Sequence, residues 1–169
     1  MKVKIKDHGE NQKRTAEYIE KFDTEKTLKM LVGKPDPIIF DVGANNGSSV
    51  DNFKLWWPEA HIHCFEPQIE CRQDLINTAK NYEGVGSVII NTCTVGNKIN
   101  SEAVFYTHEI HSGVSGFNKI NLDSEDSIKL KNLIEQGDGA EQAYSQTLNH
   151  ARKVEIIRLD DYISSIDTD

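Results

Sequence analysis

The fold is decided by one stretch of sequence, Pro37-Ile38-Ile39-Phe40-Asp41-Val42-Gly43-Ala44-Asn45-Asn46-Gly47. Its apolar residues form a nearly continuous run, which is typical of a short strand covered on both faces by helices. Asp41 interrupts that run at the carboxyl end of the strand. Because the burial of an unpaired charge costs several kcal/mol, we expect this carboxylate to face a ligand.

The residues after the strand predict a turn that a ligand can approach closely. Gly43 and Gly47 are four positions apart and allow a positive φ. Asn45 and Asn46 also tolerate the left-handed conformation. The two serines that follow open a helix, whose free N–H groups point to the crevice outside the carboxyl ends of the strands. Open α/β sheets bind ligands in that crevice.

A second strand ends in an acid, within His61-Ile62-His63-Cys64-Phe65-Glu66-Pro67. Glu66 lies nineteen residues after Gly47. An acid about twenty residues beyond a glycine turn is placed to accept hydrogen bonds from the hydroxyls of a nucleoside ribose. Pro67 then ends the strand. The two stretches together predict a nucleoside site in an α/β fold.

The motifs Asp-Val-Gly-Ala-Asn-Asn-Gly and Phe-Glu-Pro resemble the first two motifs of class I S-adenosylmethionine-dependent methyltransferases, and in particular those of the FkbM family. The resemblance implies a Rossmann-like three-layer α/β/α fold with a mostly parallel sheet, and S-adenosylmethionine as cofactor. A dinucleotide-binding enzyme is expected to show G-x-G-x-x-G, whereas this sequence has G-x-x-x-G. A nicotinamide-binding domain and a turn that merely joins strand to helix stay open as alternatives.

The resemblance also implies which residues hold the cofactor. In the family, the glycine turn holds the methionine part, the acid after the second strand holds the ribose, and the end of the third strand lies beside adenine. We expect the third strand to begin at Val88 and to continue to Gly96. Carried over to this chain, the cofactor-binding residues are Asp41, Gly43, Ala44, Asn45, Asn46, Gly47, Glu66, Asn91, Thr92 and Cys93. A buried, inert thiol is the alternative interpretation of Cys93.

Composition excludes several classes of partner. The net charge is −8, from 27 acidic and 19 basic residues, and no basic cluster stands out beyond Lys2, Lys4 and Lys6. We therefore expect no nucleic-acid partner, since such binding needs a positive face. No apolar run approaches the roughly 20 residues that cross a bilayer, so we expect no membrane contact and a cytoplasmic location. Three widely spaced cysteines predict neither disulfides nor a zinc knuckle.

The remaining segments predict a helical extension and a polar insertion. Apolar spacing favours one helix or two short ones over 11–31, which gives a helical extension over 1–35 and a partial methyltransferase domain over 36–169. Residues 121–150 form a polar insertion. The loop His111–Gly116 resembles a glycine- and serine-rich loop of the family and is a candidate to contact an acceptor substrate, although a flexible connection explains its composition equally well. His108-Glu109-Ile110-His111 is one residue short of H-E-x-x-H, so we predict no metal site.

The chain stops at Asp169, before the Lys-x-Asp-x-Glu-Gly strand of the family. We therefore expect a sheet whose carboxy-terminal strands are missing, with an open edge beside the first strand. The chain is then either a piece of a longer enzyme or completed by a homo-oligomer. The expected activity is methyl transfer to a hydroxyl of a sugar, glycan or small molecule, with no catalytic base assigned, because a helix cap explains Asp160 and Asp161. The alternative is a non-catalytic module that binds a nucleoside or a partner.

Overall fold

The structure, a computed structural model, describes residues 8–97, 101–108, 112–125, 127–128 and 149–166. It is an α/β structure with two three-stranded sheets. In chain order the longer elements are α1 (His8–Lys21), α2 (Thr24–Val32), β1 (Ile38–Val42), α3 (Ser48–Trp56), β2 (His61–Phe65), α4 (Ile69–Lys80), β3 (Ser87–Asn91), β4 (Thr94–Val95), β5 (Ser101–Thr107), β6 (His150–Ile157) and α5 (Leu159–Ser165).

The first sheet is parallel and has the order β1-β2-β3. The predicted strand after Pro37 and the strand that precedes Glu66 are both confirmed, and they are direct neighbours. Each crossover carries a helix, α3 between β1 and β2 and α4 between β2 and β3, as parallel pairing requires. Within the described residues β1 pairs with β2 alone, so its other edge is open.

One face of the first sheet carries the hydrophobic core. Ile62 and Cys64 of β2 are fully buried there, together with Val50 of α3 and Leu75 of α4. Residues of β1 and β3 that lie in register with them extend the same face. Each fully buried aliphatic side chain stabilises the fold by about 1.5–3 kcal/mol. This face therefore anchors the two helices that follow the strands.

The opposite face of the first sheet is covered by α5. Tyr162 packs edge-on against Phe40 and Phe65, and its hydroxyl lies 2.8 Å from Nδ1 of His63. Coverage is incomplete, since Val42 is 53 % exposed and Ile89 is 42 % exposed. The continuous apolar run of β1 thus meets helices on both faces, but one of them is a single short helix.

The second sheet is mixed and has the order β4-β6-β5. β5 and β6 form a long antiparallel pair, and β4 adds two parallel residues at the other edge of β6. Arg152 of β6 forms an ion pair with Glu70 of α4, which joins this sheet to the first layer. The sequence did not predict a separate sheet.

Three local expectations are wrong. The third strand ends at Asn91 instead of continuing to Gly96, because Thr94 and Val95 pair with β6. In α3, the apolar spacing predicts that Leu55 faces inward, but Leu55 is 73 % exposed and Lys54 is buried in its place. The cap of α5 is Arg158, so Asp160 lies in the first turn of the helix and forms an ion pair with that arginine.

The leading segment forms two helices. Asp23 caps α2 by accepting a hydrogen bond from the Lys26 amide, and Gly33 ends it in the left-handed conformation. The domain boundary at residue 35 stays a prediction, and most of the predicted insertion at 121–150 lies outside the described residues. None of the helices in the described part of the chain is both long enough and apolar enough to cross a bilayer.

Candidate functional site

The carboxyl ends of the three parallel strands meet in register. Val42 lies opposite Phe65, and Phe65 lies opposite Asn91. The glycine turn therefore follows β1 directly beside Glu66, which follows β2. The backbone fixes this arrangement, because the amides of Gly43 and Glu66 donate to the carbonyls of Phe65 and Asn91 at 2.9 and 3.0 Å.

The turn after β1 adopts the left-handed conformation at three positions. φ is +85° at Gly43, +49° at Asn45 and +91° at Gly47. A Cβ at Gly43 would meet nothing within 4 Å, whereas one at Gly47 would lie 3.0 Å from the side chain of Thr78. The first glycine thus faces open space, and the second lets α3 approach α4. Glycine is the residue that takes such φ values without steric cost.

Glu66 lies at the centre of the site and is only 4 % exposed. Its Oε2 accepts the backbone N–H of Asn45 at 2.9 Å, and its Oε1 accepts that of Gln68 at 2.8 Å. A carboxylate offers about four lone-pair positions, so two of them are used by the chain itself. The remaining two can accept hydroxyl donors of a ligand.

Ser112 reaches this edge from the connection between β5 and β6. Its Oγ lies 3.0 Å from Nδ2 and 3.2 Å from Oδ1 of Asn45, and its carbonyl accepts a hydrogen bond from Nε2 of Gln68 at 3.2 Å. The same loop was predicted to contact an acceptor substrate. In this structure it contacts the glycine turn and the segment after Glu66.

Asp41 faces the start of α3. Ser49 donates its hydroxyl to Oδ2 of Asp41 at 2.5 Å. Asp41 is partly buried and its described partner is a serine in the first turn of α3, so the expectation that it faces a ligand stays a prediction. Asn46 is exposed and accepts the amide and the hydroxyl of Ser48 at 3.2 and 2.6 Å. Ala44 is 2 % exposed and belongs to the core below the turn.

The three residues predicted to lie beside adenine have different surroundings and different degrees of burial. Asn91 ends β3, and its Nδ2 donates to the carbonyl of Cys64 at 3.1 Å. Thr92 is exposed. Cys93 is 8 % exposed and points into the second sheet, where burial and then the charge of Glu155 raise the pKa of its thiol. Of the three, Asn91 lies closest to the edge that carries Glu66.

None of the cysteines in the described part of the chain is disulfide-bonded, and all three are buried. Burial, and then the charge of the nearby Asp41, raise the pKa of the Cys64 thiol to about 12. Burial also raises the pKa of Cys71, although a hydrogen bond with Ser112 lowers it. Because the thiolate is the reactive form, these residues are inert at neutral pH.

Among the histidines that the structure describes, His108 is buried and hydrogen-bonded to the backbone. His108 is 2 % exposed, and its Nδ1 accepts the amide of Asn149 at 3.0 Å, so the proton of the neutral ring lies on Nε2. Burial and then His150 lower the pKa of His108. No group of three or more metal-binding side chains occurs among the described residues, and Glu109 to His111 lie outside them.

Two residues of this edge were not predicted from the sequence, Gln68 and Cys71. Gln68 is 5 % exposed and precedes α4 as its cap. Cys71 lies one turn later, with its Sγ 3.5 Å from Oδ1 of Asn45. A polar residue two positions after the acid is a signal for a helix start, but its contact with Ser112 depends on the second sheet.

Comparison with known proteins gives one partial likeness. No protein family profile matches the chain. A stretch of 49 residues is 41 % identical to 2-O-methyltransferase NoeI of Sinorhizobium fredii (strain NBRC 101917 / NGR234). The match covers 27 % of this chain and 20 % of that protein. It supports a relationship of this part of the chain to a methyltransferase.

Proposed function

We propose that this chain binds S-adenosylmethionine at the carboxyl edge of its first sheet and belongs to an O-methyltransferase of FkbM type with a Rossmann-like fold. The acceptor would be a hydroxyl of a sugar, a glycan or another small molecule. The name of the partial relative, a 2-O-methyltransferase, supports transfer to oxygen. A strand order of β1-β2-β3 with helical crossovers is compatible with the Rossmann-like arrangement.

The observation that carries this proposal is the position of Glu66 beside the left-handed turn. The amide of Asn45, the residue at the top of the turn, donates directly to the Glu66 carboxylate. The two elements that bind a nucleoside and its attached chain are therefore one connected unit. The unused lone pairs of Glu66 suit the two hydroxyls of a ribose.

The open space at Gly43 suits the methionine part of the cofactor, because a ligand can lie against bare backbone there. In this proposal Asp41, Ala44, Asn46 and Gly47 shape the same turn. Asn91 borders adenine, and the exposed Thr92 and the buried Cys93 flank it. The bound cofactor would supply a methyl sulfonium, and the chain would supply its position relative to the acceptor oxygen.

A calorimetric titration with S-adenosylhomocysteine tests the cofactor part of the proposal. We expect wild-type chain to bind and the Glu66→Ala variant to bind at least about tenfold more weakly, since hydrogen bonds to a charged group contribute about 1.5–3 kcal/mol. Glu59→Ala is the matched control, because Glu59 is exposed near the other end of the sheet. Circular dichroism establishes that each variant is folded.

The acceptor part needs a separate assay. Transfer of labelled methyl from S-adenosylmethionine to a panel of hydroxylated sugars and small molecules would support catalysis by this chain. Binding without transfer to any acceptor would favour the non-catalytic nucleoside module. Failure of a folded wild-type chain to bind S-adenosylhomocysteine, together with binding of NAD⁺, would replace the proposal with nicotinamide binding.

One observation favours the alternative in which the glycine turn merely joins strand to helix and binds no ligand. Glu66 is buried, and both of its oxygens already accept backbone N–H groups. The same geometry is expected of a carboxylate with a purely structural role, which holds the turns after β1 and β2 together. In that case Glu66→Ala would lower the free energy of unfolding, and the wild-type chain would bind no nucleoside.

A further inference from the structure

The two residues that bind the carboxylate of Glu66 also hold a segment that connects two strands of the second sheet. We refer to residues Ser112–Val114, a short 3-10 helix, as the strap. Asn45 and Gln68 donate their backbone N–H groups to Glu66, and the same two residues hold Ser112 with their side chains. The strap therefore lies across the gap between the turn after β1 and the segment after β2.

This arrangement conflicts with direct access to Glu66. A ribose must reach the unused lone pairs of a carboxylate that is only 4 % exposed. The turn at Asn45 and the cap at Gln68 donate to the carboxylate, and the strap is hydrogen-bonded to both of these residues. The turn and the cap are tied to the parallel strands, whereas the strap is tied to the other sheet.

We propose that the strap is a lid over the nucleoside pocket, which opens when Ser112 releases Asn45 and Gln68 and closes again over the bound ligand. The identity of the ligand rests on the proposed function, whereas the opening itself does not. The contacts that hold the lid are neutral hydrogen bonds, which contribute little net free energy in water-accessible positions. The closed state is thus weakly held.

The anchor of the lid lies on its carboxyl side. Tyr106 and Gly116 exchange two backbone hydrogen bonds at 2.7 and 3.0 Å, and the amide of His108 donates to Oγ of Ser115 at 3.2 Å. These contacts stay within the second sheet and its loop. The strap can therefore leave the first sheet while its base remains attached.

Cys71 reports on the opening without any ligand. Its thiol is 5 % exposed and contacts both Asn45 and Ser112, so it becomes accessible when the strap moves. Cys64 is fully buried in the middle of the parallel sheet and becomes accessible only when the sheet unfolds. The difference in labelling rate between the two thiols measures local opening.

The test is thiol labelling at about pH 8.5, where a larger fraction of thiols is ionised, with each cysteine followed by mass spectrometry of its peptide. We expect Cys71 to react faster than Cys64 in the wild-type chain. Because Ser112→Ala also removes the hydrogen bond that lowers the pKa of Cys71, labelling is followed as a function of pH and each rate is divided by the thiolate fraction. The corrected rate of Cys71 should rise about fivefold, the effect of losing about 1 kcal/mol of net hydrogen bonding between the Ser112 hydroxyl and Asn45, and that of Cys64 should be unchanged. Ser87→Ala is the control, because Ser87 bonds His61 at the amino end of the same sheet.

Equal labelling rates of Cys71 and Cys64, in both the wild-type chain and Ser112→Ala, would overturn the lid. The same labelling experiment in the presence of a ligand distinguishes this outcome from a failure of the proposed function. S-adenosylhomocysteine should protect Cys71 and should associate faster with Ser112→Ala than with the wild type. Acceleration of Cys71 without protection by that compound would leave the lid established and the proposed ligand wrong.

Discussion

Two buried charges stand at opposite ends of the first sheet, and both are surrounded by backbone. At the carboxyl end, Glu66 is 4 % exposed and accepts two amide N–H groups. At the amino end, Lys54 is 3 % exposed and donates to the carbonyls of Pro58, Ala60 and Val85 at 3.1, 2.8 and 2.6 Å. Burial and hydrogen bonding therefore do not distinguish a binding site from a structural tie.

The two charged groups differ in how many of their hydrogen-bonding positions remain unused. An ammonium has three donors, and the three carbonyls use all of them. A carboxylate has about four acceptor positions, and the chain uses two at Glu66. The space beside the two groups differs too, because a Cβ at Gly43 meets nothing within 4 Å, whereas one at Gly86 would meet backbone of Glu59 and Ala60. Unused hydrogen-bonding capacity beside open space is the physical reason that we propose the carboxyl end, and not the amino end, as the binding site.

The largest expected effect comes from paired glycine substitutions. Gly86→Ala should lower the free energy of unfolding by about 3–5 kcal/mol, because φ is +61° and the new Cβ would lie 2.7 Å from the carbonyl oxygen of Glu59. Gly43→Ala should cost only about 1–2 kcal/mol, for its φ of +85°, but should weaken S-adenosylhomocysteine binding strongly. Urea unfolding and calorimetry measure the two effects. Equal losses of unfolding free energy in Gly86→Ala and Gly43→Ala would contradict the proposed difference between the closely packed amino end and the open carboxyl end of the first sheet.

The next effect concerns Lys54. Lys54→Met keeps the aliphatic stem but leaves three carbonyls without their ammonium donor, so we expect a loss of about 2–3 kcal/mol in the free energy of unfolding. Lys29→Met is the control, because Lys29 is exposed and contacts only Glu25 on the same helix. Nucleoside binding by the folded variant should be unchanged. A loss below about 0.5 kcal/mol would show that this charge is not a structural tie.

The smallest expected effect is a pH dependence of the free energy of unfolding. It comes from His63, which lies in the middle strand of the first sheet, between the two ends. Burial, and then the charge of His61, lowers the pKa of His63, whose Nδ1 bonds the Tyr162 hydroxyl. The unfolded chain therefore binds more protons than the folded chain, so stability is complete above the ordinary histidine pKa and falls as the pH drops through the lowered value. Urea unfolding at several pH values measures this slope. His63→Gln should reduce it, and an unchanged slope would assign it to other groups, such as His108.

The site was predictable as far as its parts are local. The turn Gly43–Gly47 takes the left-handed conformation at both glycines because only backbone sterics decide it, and Glu66 ends its strand because Pro67 follows. The proximity of these two strand ends could also be predicted, since parallel strands joined by helices place their carboxyl ends together. Their roles in binding a cofactor remain predictions.

The errors arose where a distant element determined the outcome. Leu55 was expected to face inward from its helical spacing, but Lys54 took the buried position because three carbonyls at the amino end of the sheet could satisfy it. The third strand was expected to run to Gly96, but the partner of Thr94 and Val95 is β6, about 60 residues later in the sequence. The secondary-structure propensity of a segment contains no information about partners that lie far away in the sequence.

The sequence by itself determined the β1 turn, the acid after β2 and the helices that connect the parallel strands, because each depends on residues within one turn or one strand of each other. The tertiary structure alone decided that Ser112 crosses from the second sheet to Asn45 and Gln68, the two residues that bind the buried carboxylate of Glu66. Contacts between residues this far apart in the chain form only after both sheets are packed, since they follow from the shape of the core and not from local preference.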